Sequence, residues 1–324
     1  MKNSQDFKNQ LYTQFPIQEN TIWTNPENLF FMGSCFSTNI SERFNDHFIE
    51  TLSNPFGTIF SPDALAQTFQ HIQNQTLPTL IHYENSEHAL LFDTSFQHSN
   101  KDTLEIKIKQ NLRAAHDYLD KSNTVFITLG SAWVYKHLES NELVGNCQKI
   151  PQNQFEKIIL PIEHIVENLN QIHKSIRAIS TQCNIVFTIS PVRHLRDGIS
   201  ENVLSKSHLI VALQSFISQN SQCHHFPSYE IFNEELRDHR YFQPDLAHPN
   251  ELAIEYIFKR LIEVYGDETF KEFMDKASAL NQLVNHKLKT TDPIQISNWQ
   301  QNLEKKKAEF IYLYPNSVIS NQLP

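Results

Sequence analysis

The chain has 324 residues and a mass of 37.8 kDa, with 40% hydrophobic and 19% charged residues, so it can bury a large core. Its 27 Lys and Arg stand against 36 Asp and Glu, a formal charge of −9, which excludes the clustered basic footprint of a nucleic-acid binder. Only six glycines occur (Gly33, Gly57, Gly130, Gly145, Gly198 and Gly266), too widely spaced to write a Rossmann or P-loop phosphate fingerprint.

The N-terminal residues Met1 to Asp6 run into polar sequence with no apolar signal region, and no apolar stretch is long enough to span a bilayer. A cytoplasmic protein that neither crosses nor needs a membrane is expected. Leu29-Phe30-Phe31-Met32 reads as a buried strand, followed by a turn at Gly33 and a helix on which Ile40, Phe44 and Phe48 space by four. Phe48 to Leu52 is a weaker strand. Ser61-Pro62-Asp63 is a helix start ahead of Leu65 and Phe69, and Asp102 to Leu119 is a further helix. Val125 to Leu129 and Ile185 to Ile189 are continuous apolar runs of the kind buried on both faces of a parallel sheet. Between them, Phe155 to Ile179 reads as one long helix. A short strand is expected around His225-Phe226-Pro227. A final helix follows Pro249, with Ala253, Ile257, Leu261 and Val264 as its apolar stripe and Gly266 as its C′ residue.

Alternating strands and helices predict an α/β domain over residues 1–266, with a parallel sheet covered on both faces. Residues 267–324 predict a helical extension. Phe270 to Leu288 and Ser297 to Tyr314 would be its helices, Thr290-Thr291-Asp292-Pro293 the break between them, and Lys305-Lys306-Lys307 a solvated face. In such domains ligands bind at the carboxyl ends of the strands, so the residues just after each apolar run are the candidates for function.

Cys35, Cys147, Cys183 and Cys223 are far apart, with no C-x-x-C pair, and read as reduced thiols. Cys35 would sit at a helix N-terminus, where the macrodipole and unpaired N–H groups favour a thiolate and face any oxyanion forming beside it. A buried structural cysteine is the bland reading of the same residue. Asp245 and His248 lie in the turn before the last helix of the domain. At that spacing the carboxylate can accept from Nδ1–H and leave Nε2 outward as a base, although a turn-capping Asp beside a surface His has the same spelling. Arg193 and His194, after the Ile185–Ile189 run, could hold a carboxylate or phosphate, or Arg193 could pair with an acid such as Asp197. Trp133 and Tyr135 are either pocket wall or core.

A nucleophile directly after the first strand, with D-x-x-H before the last helix, resembles the SGNH/GDSL hydrolase arrangement. Gly33-Ser34-Cys35-Phe36, followed by Ser37 where the family name has Ala, resembles the motif that names the GSCFA family. The likeness runs through Asn54-Pro55-Phe56-Gly57, Leu129-Gly130-Ser131-Ala132-Trp133, Asn146-Cys147, Ser190-Pro191-Val192-Arg193-His194 and Asp245 to His248, across roughly residues 22–266.

The resemblance implies a three-layer α/β/α fold of SGNH or flavodoxin-like type, with no cofactor and no metal. It also implies an acylated or other small-molecule substrate. Register places Cys35 on the nucleophile and Ser34 on the aspartate of G-D-S, with Ser34 the alternative nucleophile. The oxyanion hole would use the nucleophile N–H and Gly57. The asparagine of G-x-N-D is missing after Gly130, so the Ser131 hydroxyl, a backbone N–H or Asn146 would replace it.

The leading expectation is an ester or thioester hydrolase, or an acyltransferase. In it Cys35 attacks, His248 moves the proton and Asp245 orients the imidazole. The missing asparagine favours a second reading, a non-catalytic small-ligand module in which Arg193, His194 and Trp133 grip the ligand. A metal hydrolase is a third, without an H-E-x-x-H motif behind it.

Overall fold

The computed structural model describes residues 14–317 apart from 287, 290 and 316, and the side chain of Asp197 is outside the described set. Its strands are β1 (Leu29–Gly33), β2 (Thr51–Ser53), β3 (Ile81–Tyr83), β4 (Ser86–His88), β5 (Gln97–His98), β6 (Thr124–Leu129), β7 (Trp133–His137), β8 (Leu143–Val144), β9 (Phe155–Ile159), β10 (Asn184–Ile189) and β11 (Cys223–Phe226). The main helices are α1 (Cys35–Asp46), α2 (Pro62–Asn74), α3 (Lys101–Asp120), α4 (Ile162–Ile179) and α5 (Ile199–Gln219). A short α6 (Ser228–Glu230) runs into a π turn, and α7 (Glu251–Tyr265), α8 (Glu268–Val284) and α9 (Pro293–Leu313) follow.

Five strands form a parallel sheet in the order β11-β10-β6-β1-β2. Numbered along the sheet strands alone this is 2-1-3-4-5, the doubly wound order whose crevice opens between the first and third strands. Here those are β1 and β6, so the turn after β1 lies at the topological switch point.

Alternation along the strands divides the core in two. Phe30, Met32, Val125, Ile127, Ile185 and Phe187 face one side with Phe69, Ile108, Leu169 and Phe216 from α2 to α5. Leu29, Phe31, Phe126 and Val186 face the other, with Phe44 of α1, Ile257 and Phe258 of α7, and Phe273 and Phe310 of α8 and α9. The three-layer α/β/α fold follows from strands apolar on both faces.

Trp23 joins the two ends of this domain. Its N–H donates to Tyr265 O at 2.9 Å, its carbonyl accepts from Asp267 N at 3.0 Å, and its indole donates to Thr124 Oγ1 at 3.0 Å. The ring is fully buried among Phe44, Phe126, Tyr265 and Phe270.

Several local expectations are corrected. Phe155 to Ile159 is a strand, antiparallel to Trp133–His137, and the helix begins only at Ile162. Pro161 explains the break, since the residue before a proline is pushed out of the α region. Two small antiparallel sheets, β3-β4-β5 and β8-β7-β9, flank the main one. Phe48 lies beyond the end of α1 in a left-handed conformation with φ 59°, and the second strand starts at Thr51. Gly266 is extended (φ −90°, ψ 136°), so it closes α7 without the left-handed cap. The break before the last helix is its start, with Asp292 as N-cap and Pro293 in the first turn. The expected Thr290 and the chain beyond Ser317 lie outside the described residues.

Candidate active site

The site is built around the end of β1. A Cβ on Gly33 would meet the Thr128 carbonyl oxygen at 2.3 Å, so only glycine lets β1 and β6 approach this closely at the switch point. Ser34 N–H donates to Thr128 O at 3.2 Å, and Ser37 Oγ donates to Thr128 Oγ1 at 2.7 Å. Asn54, a motif residue to which the sequence assigns no task, fastens the turn from the end of β2. Its Oδ1 accepts from Gly33 N at 2.9 Å and its Nδ2 donates to Thr38 Oγ1 at 3.0 Å. The available signal is the Asn-Pro dipeptide, a turn spelling, and the residue is left-handed with φ 46°.

The two candidate nucleophiles have different surroundings. Ser34 is the N-cap of α1, 2% exposed, and its Oγ accepts from Phe36 N at 3.3 Å. That hydroxyl satisfies a helix-end donor. Cys35 opens the helix and remains half-buried. Burial pushes its thiol upward, opposed by the N–H groups of Cys35 and Phe36 and by the positive charge of Lys206.

Asp245 and His248 form the expected pair on the loop before α7. His248 Nδ1 lies 2.6 Å from Asp245 Oδ2, while Asp245 Oδ1 accepts from the N–H groups of Ala247 at 2.9 Å and His248 at 3.0 Å. These three bonds hold the carboxyl at about 2, the backbone donors contributing first. With Nδ1 engaged, Nε2 is the nitrogen left for proton transfer. Both side chains are well exposed, and among the described residues no hydrogen bond joins His248 to Cys35 or Ser34. The loop is tied to the end of β10 by Arg193 N donating to Ala247 O at 3.0 Å.

The remaining candidates are placed as follows. Gly57, with φ 75°, has its N–H spent on Asn54 O at 2.8 Å, and a Cβ there would fall on the Asp93 carboxyl. It closes a turn and does not offer its N–H as the expected oxyanion donor. Gly130 N–H donates to Phe60 O at 2.8 Å. The Ser131 hydroxyl is engaged with Ser205 Oγ at 3.1 Å and Trp133 N at 3.0 Å, so it too is committed to structure. Asn146 Oδ1 accepts from Gln148 N at 2.8 Å. Arg193 lies over the Phe242 ring and reaches Asn233 Oδ1 at 3.4 Å, and His194 stacks on Phe60. The alternative Asp197 partner for Arg193 falls on an undescribed side chain.

A further group at the same edge is not marked by any motif. Asn202 and, one turn later, the adjacent Ser205 and Lys206 are buried on the inner face of α5. Asn202 Oδ1 accepts from His194 N at 2.9 Å, and Ser205 Oγ accepts from Ala132 N at 2.8 Å. Lys206 Nζ donates to Gly130 O and to Ser190 O, each at 2.8 Å. These positions are polar and buried, while Ile199 and Val203 on the same helix are 72% and 51% exposed.

Among solved structures, a carbohydrate esterase family 3 protein from Talaromyces cellulolyticus is 7% identical, with a TM-score of 0.37, over 77% of this chain and 99% of that one. A mutant acetyl esterase solved with acetate ion gives 7% identity and a TM-score of 0.36 over the same shares. No curated protein matches. The GSCFA family model matches residues 28–261, which contain the turn after β1, the Lys206 cluster and the Asp245–His248 pair, and the chain belongs to the GSCFA family.

Proposed function

We propose that this protein is a thiol-dependent hydrolase or acyltransferase acting on an ester or thioester. The observation that carries the reading is the division of labour in Ser34-Cys35: the serine hydroxyl is buried and caps α1, and the thiol, outside any disulfide, is the more exposed of the two at the helix N-terminus. Cys35 Sγ attacks the substrate carbonyl carbon, and the Cys35 N–H receives the developing oxyanion. As the intermediate collapses, the bond to the alcohol or thiol breaks. His248 Nε2, having taken the thiol proton, returns it to the leaving group. A water or acceptor hydroxyl then gives its proton to His248 and attacks the thioester carbonyl, which releases the acid or transferred ester and regenerates the thiol. Asp245 orients the imidazole and stabilises its cation. The substrate would be a small or acylated molecule, and free thiols suit a reducing, cytoplasmic setting.

The test is turnover of p-nitrophenyl acetate and of an acyl thioester by the wild type, Cys35→Ala and Ser34→Ala. Loss in Cys35→Ala with retention in Ser34→Ala is expected; the reverse would move the nucleophile to Ser34. One observation favours the non-catalytic binding reading: the Gly57 N–H and Ser131 hydroxyl are already bonded, so the oxyanion has few donors. Failure of every ester and thioester to turn over would favour it.

A further inference from the structure

The ammonium of Lys206 bridges the carboxyl ends of two adjacent strands. Gly130 follows β6 and Ser190 follows β10, and both carbonyls point at the same Nζ. The side chain comes from α5, across the layer from α1, and is 1% exposed. A buried ammonium is costly unless its protons are bonded. Two carbonyls take two of its three donors and leave one.

The charged and titratable groups facing it come from two other elements. Cys35 lies on the α1 side, and Glu230 at the end of α6 carries a buried Oε2 with no hydrogen-bond partner; the ring of its chain neighbour Tyr229 is 5.6 Å from Nζ. Lys206 is therefore a buried ammonium electrostatically coupled to one thiol and one carboxyl.

We propose that Lys206 is the positioning residue of this site: it pins the β6 and β10 ends to each other and, while protonated, supplies the positive charge that stabilises the Cys35 thiolate and an oxyanion forming next to it. The inference rests on the thiol reading above and assigns the electrostatic work that Gly57 and Ser131 cannot do. Burial pulls the lysine down to about 7, while the thiol and Glu230 pull it back up. The ammonium therefore favours the Cys35 thiolate, against the burial that pushes the thiol up, for as long as the lysine keeps its proton. Glu230 competes with Cys35 for the same charge, and burial holds its own carboxyl above the usual range.

The test needs no substrate. Alkylation of Cys35 by iodoacetamide is followed by peptide mass spectrometry across neutral to alkaline pH in the full-length protein, for the wild type, Lys206→Met, Lys206→Arg and Glu230→Gln. Lys206→Met is expected to move the Cys35 inflection upward by about one pH unit, slowing alkylation about tenfold at neutral pH. Lys206→Arg, which keeps the charge, is expected to restore part of the rate. Glu230→Gln removes the competing anion and is expected to speed alkylation. It also keeps the idea testable should the lysine variants not fold. An unshifted inflection in folded Lys206→Met, or unchanged or slower alkylation in Glu230→Gln, would overturn the proposal. A shifted inflection together with full ester turnover in Cys35→Ala would instead sink the hydrolase reading and leave the Lys206 assignment standing.

Discussion

The two halves of the candidate site are held by opposite physics. At the switch point, Cys35 is half-buried and Lys206 fully buried among strand ends, where charges are poorly screened. On the loop before α7, Asp245 and His248 are 48% and 40% exposed, and their geometry depends on a short run of local hydrogen bonds. The Cys35 end is thus fixed by the fold itself, while the Asp245–His248 end is fixed by one turn of chain. Effects at the first half should be large and salt-insensitive; those at the second should be graded and screened.

Four measurements break or sharpen that contrast. Cys35→Ala is expected to lower turnover of an ester probe by about 10³-fold or more, the scale on which loss of a nucleophile acts. Retained turnover would dissolve the contrast at its centre. His248→Ala should cost about 10²- to 10⁴-fold, as loss of a general base does, with the Cys35 alkylation rate also reduced. Gly33→Ala drives a methyl into the Thr128 backbone and should destabilise the fold by about 3 kcal/mol, read from denaturant midpoints. An unaffected midpoint would mean that β1 and β6 are not locked. Ser34→Ala removes only a helix cap and should cost about 1 kcal/mol without abolishing turnover.

The acid limb gives the smallest effect. The Asp245 carboxyl is held at about 2, below its ordinary 3.8, so the stability it contributes is fully present above pH 3.8 and disappears as pH falls through about 2. Asp245→Asn should flatten acid unfolding across that window. Because the group is exposed, added salt should shrink the difference further. A salt-independent difference would place Asp245 in a drier setting than its exposure indicates.

The central sheet is readable because β1, β6 and β10 are continuous apolar runs, which few other structures require. Strands of two to five residues in the flanking sheets carry too little periodicity to read, and β9 merges with α4 because their apolar residues adjoin. Of the site, Cys35, Asp245 and His248 are legible because each stands beside an element boundary that the sequence marks. Lys206 is not, because a lysine in mid-helix reads as solvated. Only the carbonyls of two distant segments give it a buried task. Gly57 misleads for a related reason, since its N–H partner is set by the local turn at Asn54.

The Trp23 clasp has a kinetic consequence. Residue 23 and residues 265–267 bracket almost the entire domain, so their bonds form only after a loop of that length has closed. Contacts of such separation are late events in folding. Of the tryptophans, Trp23 is the one fully removed from water, so its emission should report the closing step. A refolding experiment followed at that indole would time the union of residue 23 with residues 265–267, after the sheet between them has assembled.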